Sequence, residues 1–245
     1  MDADFVLILA VMLLAAVIQG STGFGFGLVA VGVLALFMPV QEAACLNVLP
    51  ALVLNATLLL RLHRHLRWRD IRWIAPAILL ATPVGVVGLL TLDARVMNGV
   101  LAAVLGVAIV QSLLPRAGHR PWHPFWLGGP TGILSGLLAG AYGTGGPPVI
   151  AYVQSYRYEM PRHVACLQLL LAIAGSIRVV SLAAQHALTR EQWMVNGIAA
   201  LVIPPGAWIG LWLLRRLPAV WLRRAMLAML VLVMIHCLVQ TVSAS

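Results

Sequence analysis

The chain contains no lysine and only seven acidic residues against sixteen arginines, and charged residues make up 9% of its 245 positions. Hydrophobic residues make up 62%. A water-soluble domain needs polar cover over its core, so this scarcity of charge excludes one. Cysteine is scarce too. Cys45, Cys166 and Cys237 all lie in apolar segments without zinc-binding spacing and read as small buried hydrophobes. No Ser/His/Asp set, no paired catalytic carboxylates and no metal-ligand spacing occurs, so no cofactor or metal is expected and the chain does not read as an enzyme. The N-terminus opens with Asp2 and Asp4 where a cleaved signal peptide would carry positive charge. In a soluble protein the net charge of +9 would suggest nucleic acid. Here most arginines fall between apolar runs, so orientation in a bilayer accounts for them and no nucleic-acid partner is expected. What remains is one all-α polytopic membrane domain over residues 1–245.

Ten apolar runs follow one another. In the first half they cover residues 5–19, 25–38, 43–60, 71–90 and 96–114; in the second, 126–139, 147–156, 164–184, 193–214 and 225–242. Three runs in each half reach or approach the roughly 20 residues that span the hydrocarbon. The first two of each half are shorter. They predict a pair that either dips into the membrane or crosses as two thin spans shielded by neighbours. With the N-terminus outside, a ten-segment zigzag places thirteen of the fifteen loop arginines inside. These are Arg61, Arg64, Arg67, Arg69 and Arg72, then Arg116, Arg120, Arg157 and Arg162, then Arg215, Arg216, Arg223 and Arg224. Only Arg95 and Arg190 fall outside. That bias is the positive-inside signal of a multi-pass cell-membrane protein, and it predicts both termini outside the cytoplasm.

The two halves repeat each other. Residues 20–27 read Gly-Ser-Thr-Gly-Phe-Gly-Phe-Gly and residues 140–148 read Gly-Ala-Tyr-Gly-Thr-Gly-Gly-Pro-Pro. Each is followed by a similar segment and then by Ala44-Cys45-Leu46-Asn47 or Ala165-Cys166-Leu167-Gln168. In the fourth segments the stretch Thr82-Pro83-Val84-Gly85-Val86-Val87-Gly88 sits opposite Pro204-Pro205-Gly206-Ala207-Trp208-Ile209-Gly210, and the matches along the two halves fall at separations of 120 to 125 residues. An odd number of segments per half inverts the second repeat relative to the first. Repeat one is assigned to residues 3–115 and repeat two to 124–243. Glycine breaks in lipid-soluble sequence free backbone groups that the bilayer cannot satisfy, so they survive where protein buries them or a polar cavity adjoins them. Paired breaks in two halves point to a transporter with its site between the repeats.

On these residues, above all the Gly-x-Gly-Gly-Pro form at Gly143, Thr144, Gly145, Gly146 and Pro147, the chain resembles the TauE/SafE sulfite exporter family over nearly its whole length. The first motif alternates glycine with phenylalanine where relatives often have consecutive glycines. The resemblance implies a secondary transporter for small sulfur-containing or organic anions such as sulfite, sulfonates or sulfoacetate, exporting them with the proton gradient.

The residues themselves suit an anion. A helix starting inside the membrane exposes N–H groups and the positive end of its dipole. The segments after both breaks would begin that way, with Pro147 in a first turn. Gly23, Gly25, Gly143, Gly145 and Gly146 would let backbone approach the ligand, and Ser21, Thr22 and Thr144 would add hydroxyls. The alternative is close helix packing through Gly23 and Gly27. Arg178 is the one charge well inside a span, and its planar fork of donors suits an oxyanion. A helix C-terminus is the alternative partner. Gln168 and Ser176 lie on the same segment, and Asn47 and Asn55 hold the equivalent places in the first repeat. These polar pairs serve either a midplane site or interhelical hydrogen bonds. Glu42 and Glu159 read as interfacial, and His63 and His65 as solvated. His163 and His236 stay open. The small anion and the lipid bilayer are the expected partners, and the oligomeric state is left open. An intramembrane enzyme or an anion channel on the same scaffold is the competing reading.

Overall fold

In the computed structural model of the chain, residues 3–113, 124–156, 159–216 and 219–243 are described. Arg116, Arg120 and Arg157 of the positive-inside pattern lie outside them, as do the side chains of Arg215, Arg223 and Arg224 and the repeat boundary at 115.

All described regular structure is helical. The first half holds α1 (Ala3–Thr22), α2 (Phe26–Leu34), α3 (Val40–Leu46), α4 (Val48–Leu62), α5 (Ala75–Thr91) and α6 (Ala94–Leu113). The second holds α7 (Pro124–Tyr142), α8 (Gly146–Gln154), α9 (Met160–Ala184), α10 (Arg190–Arg216) and α11 (Ala219–Ser243). Phe5–Thr22, Ala94–Leu113, Pro161–Ala184 and Arg190–Gly210 are long and apolar enough to cross a bilayer, and the bent pair α3–α4 makes a fifth such element. Apolar side chains such as Leu60, Leu80 and Leu201 point outward at 72%, 72% and 77% exposure, as lipid requires and water would not.

One sequence expectation is corrected. The first run of each half is not short: α1 has 20 residues and α7 has 19. Gly20, Ser21 and Thr22 continue α1, because both hydroxyls bond back to the Ile18 carbonyl at 2.8 and 2.7 Å and keep the turn helical. Only the second segments are short. At nine residues each, α2 and α8 reach about 14 Å, less than half of the hydrocarbon thickness.

A second departure lies in the third segment of half one, which breaks at Asn47 with a bend of 45°. Pro50 lacks an N–H, and its ring crowds the carbonyl four residues back, at Leu46. Asn196 of α10 inserts its carboxamide into the loosened ladder. Its Oδ1 accepts the Leu49 N–H at 3.0 Å and its Nδ2 donates to the Cys45 carbonyl at 3.0 Å, the pair that a straight helix would join directly. Position 171 of α9 is leucine, and α9 runs unbroken for 25 residues.

Packing is reciprocal between the halves. α1 lies along α10, as α7 lies along α5; α4 meets α9, and α6 meets α11. The contacts match residue for residue. A Cβ on Gly20 would strike the Ala207 carbonyl, and one on Gly140 would strike the Thr82 carbonyl. Likewise Gly85 faces the Leu137 carbonyl and Gly210 faces the Val17 carbonyl, so Gly85, and not Gly88 as the sequence alignment has it, is the counterpart of Gly210. At these four positions glycine permits backbones to touch, which is how helices associate where lipid offers no hydrophobic drive.

Candidate functional site

The two breaks sit where the glycines require. Gly23 (φ 86°), Gly25 (φ 108°) and Gly143 (φ 70°) are left-handed, a conformation that costs other residues about 1–2 kcal/mol. The breaks touch each other: a Cβ on Gly27 would collide with the Gly143 carbonyl and crowd Thr144. Between them lies a cavity of about 20 Å³, walled by Phe24, Gly25 and Phe26 from one half and Gly143, Thr144 and Gly146 from the other. Gln19, Gly27, Leu28, Ala51, Asn55 and Leu171 complete its lining. A smaller space of about 10 Å³, shared with Asn55, Gly143 and Leu171, continues to Arg178. No carboxylate among the described residues lines either space.

Each break is held by an amide from the opposite half. Gln168 Nε2 donates to the Gly23 carbonyl at 2.7 Å, and Asn47 Nδ2 donates to the Tyr142 carbonyl at 3.1 Å. These are the two residues that follow the matched Ala-Cys-Leu triplets, and both are fully buried. Around the first break the bonds run on through neutral groups. Gln19 Nε2 donates to Asn55 Oδ1 at 2.8 Å and to Gln168 Oε1 at 3.3 Å, while Gln19 Oε1 accepts the Phe26 N–H at 2.9 Å.

Around the second break a charge does the holding. Arg178 is 2% exposed. Its Nε donates to the Gly140 carbonyl at 2.9 Å, Nη1 to Asn47 Oδ1 at 2.7 Å, and Nη2 to the carbonyls of Ala44 at 3.0 Å and Ala141 at 3.4 Å. Gly140 and Ala141 end α7 and Ala44 lies in the last turn of α3, so the guanidinium caps two helix C-termini, where a cation is favoured. Its tie to Asn47 carries its hold to the α3–α4 break as well. No carboxylate pairs with it among the described residues.

Most of the remaining candidates are engaged elsewhere. The Ser21 hydroxyl is used on Ile18, and the Thr22 hydroxyl lies 2.7 Å from both the Ile18 and Phe24 carbonyls. Gly145 seats its carbonyl on the Ser135 hydroxyl at 2.7 Å, and Gly146 faces the Phe24 ring. Ser176 is not brought to the cavity: it is exposed and bonds to its own Ala172 carbonyl. Glu42 and Glu159 are exposed, as are His63 and His65, and all three cysteines are buried and free. Pro147 lies in the first turn of α8, as expected. With Pro148 it removes two of the N–H groups that an anion would use, whereas α2 begins Phe26-Gly27-Leu28 and keeps them.

Sequence reasoning passed over Gln19, Asn196 and the Asp70–Arg162 pair. Gln19 was legible as a polar residue just ahead of a glycine break, and Asn196 as an uncharged polar residue inside an apolar run. Asp70 is buried in the basic loop and takes Arg162 in a bidentate pair at 2.8 and 2.7 Å, tying that loop to the start of α9. Nothing in the local sequence marks it, since the partners are 92 positions apart.

Residues 8–237 match the sulfite exporter TauE/SafE family. A probable sulfite/organosulfonate exporter, TauE, of Cupriavidus necator is 30% identical over 210 residues, covering 82% of this chain and 78% of the relative. No solved structure matches the chain significantly. The family match spans the breaks, the third-segment amides and Arg178 together, and the chain is a multi-pass cell-membrane protein belonging to the TauE/SafE sulfite exporter family.

Proposed function

We propose that the chain is a secondary carrier that exports sulfite or small organosulfonates, coupled to the proton gradient, with the anion held between the two glycine breaks. The observation that carries this reading is the cavity itself. Backbone from both halves, amides and a threonine hydroxyl line it, without a carboxylate to repel an anion. Arg178 lends positive charge from behind the second break while its donors stay on backbone carbonyls and Asn47. At about 20 Å³ the space takes one water-sized group, so a substrate enters only as the breaks separate. Alternating access needs such a closed state.

The reciprocal glycine contacts support reading the halves as inverted repeats around this cavity, with both termini outside. A C-terminal reporter fusion should then be active in the periplasm; a cytoplasmic end would sink the inversion. For transport, the full chain in proteoliposomes should show saturable flux of labelled sulfite or sulfoacetate that a pH gradient accelerates. Flux that neither saturates nor responds to the gradient would mean a channel, and no flux of any sulfur anion would contradict the reading.

A further inference from the structure

The amides around the cavity have a single self-consistent orientation. The Phe26 N–H can only donate and the Gly23 carbonyl can only accept. The first therefore fixes Gln19 Oε1 toward α2, and the second fixes Gln168 Nε2 toward the break. Gln168 Oε1 is left facing Gln19 Nε2, which is shared with Asn55 Oδ1. Gln19 thus places a neutral oxygen on the first N–H of a nine-residue helix, where the dipole and an open donor favour an anionic one. In the same cavity the Thr144 hydroxyl is buried, at 4% exposure, and has no hydrogen-bond partner among the described residues. A buried hydroxyl without a partner is costly, and a ligand oxygen would relieve it. The space between the two groups is water-sized, so a sulfur head with three oxygens does not fit while the Gln19 amide is in place.

We propose that Gln19 is a built-in stand-in for the substrate: its amide oxygen holds the α2 N-terminus until a sulfite or sulfonate oxygen displaces it, while the Thr144 hydroxyl donates to a second oxygen of the same group. This rests on the site described under the proposed function and names how that site recognises its ligand. A charged oxygen makes the stronger bond to the Phe26 N–H, so the exchange is favourable. Leaving its seat, Gln19 also releases Gln168, which holds the Gly23 carbonyl. Ligand arrival therefore reaches the left-handed glycine of the first break through two hydrogen bonds.

The test is equilibrium binding of labelled sulfoacetate to the purified full chain, with melting midpoints recorded for every variant. Gln19→Ala empties the seat and should bind several-fold tighter than wild type. Gln19→Glu tethers a carboxylate to the same N–H and should bind at least about tenfold weaker. Thr144→Val keeps the shape, loses the donor and should weaken binding about tenfold. Equal weakening by Gln19→Ala and Gln19→Glu at an unchanged midpoint would make Gln19 an ordinary ligand and overturn the proposal. So would normal binding by Gln19→Glu or by Thr144→Val. If Gln19→Ala does not fold, Gln19→Met, which fills the volume without an acceptor, takes its place with the same two readings. A wild-type chain that binds neither sulfoacetate nor sulfite would instead overturn the site itself, a separate failure.

Discussion

The two glycine breaks solve one problem with different chemistry. Both turn through a left-handed glycine, both start a nine-residue helix, and both are tied by an amide from the opposite half. The second is fastened by Arg178, whose donors all point at helix ends and Asn47, and its short helix begins with two prolines. Neutral amides fasten the first, and its short helix keeps the N–H groups of its opening turn. A charged clamp on backbone carbonyls is costly to open. A chain of amides can exchange one partner for another at little cost. On the proposed reading, the second break is the fixed wall and the first is the side that trades its hydrogen bonds for a ligand.

Substitutions that unequally load the two breaks sharpen this contrast. The largest effect is expected from Gly143→Leu, because a Cβ there meets Arg178 Nη1 and the Asn47 amide at a left-handed φ. Strain plus displaced buried hydrogen bonds should lower stability on the order of 3–5 kcal/mol and abolish flux, read from melting midpoints and vesicle transport. Arg178→Met comes next. It leaves the Gly140 and Ala44 carbonyls without their donor, for a loss of about 3 kcal/mol, while Arg178→Lys should recover only part of it. The smallest pair is the most diagnostic. Asn47→Leu removes one bond to the second break and one to Arg178, whereas Gln168→Leu removes only neutral bonds. Asn47→Leu should cost about 2–3 kcal/mol and Gln168→Leu roughly 1 kcal/mol. Equal losses would mean that the two breaks are fastened alike.

How much of this was legible in the sequence depends on the range of the cause. The breaks were legible because glycine runs in apolar sequence have few other uses, and the Asn47–Gln168 equivalence because the triplets before them match. The full length of α1 and α7 was missed because Ser21, Thr22 and the Gly140-Ala141-Tyr142 stretch look like the break while remaining helical. Pro50 was a readable sign of the bend at Asn47, but the Asn196 carboxamide that repairs it arrives from a distant helix. Ser176 could have been set aside on geometry alone. Two residues before Arg178 on one helix is a rotation of about 200°, so the two point to opposite sides. Arg178 was located as a buried charge from sequence, yet its partners are carbonyls, which every residue carries and no sequence displays.

The central claim, that the anion sits against the glycine breaks, is tested most directly by placing one substitution at two glycines. Gly25 lines the cavity at a left-handed φ, while an added Cβ on Gly197 meets nothing within 4 Å among the described residues. Flux of labelled sulfite should be measured for Gly25→Leu and Gly197→Leu in proteoliposomes of equal protein content. A membrane-inserted Gly25→Leu chain should show no flux, beside a Gly197→Leu chain at the wild-type rate. Wild-type flux through Gly25→Leu would contradict it.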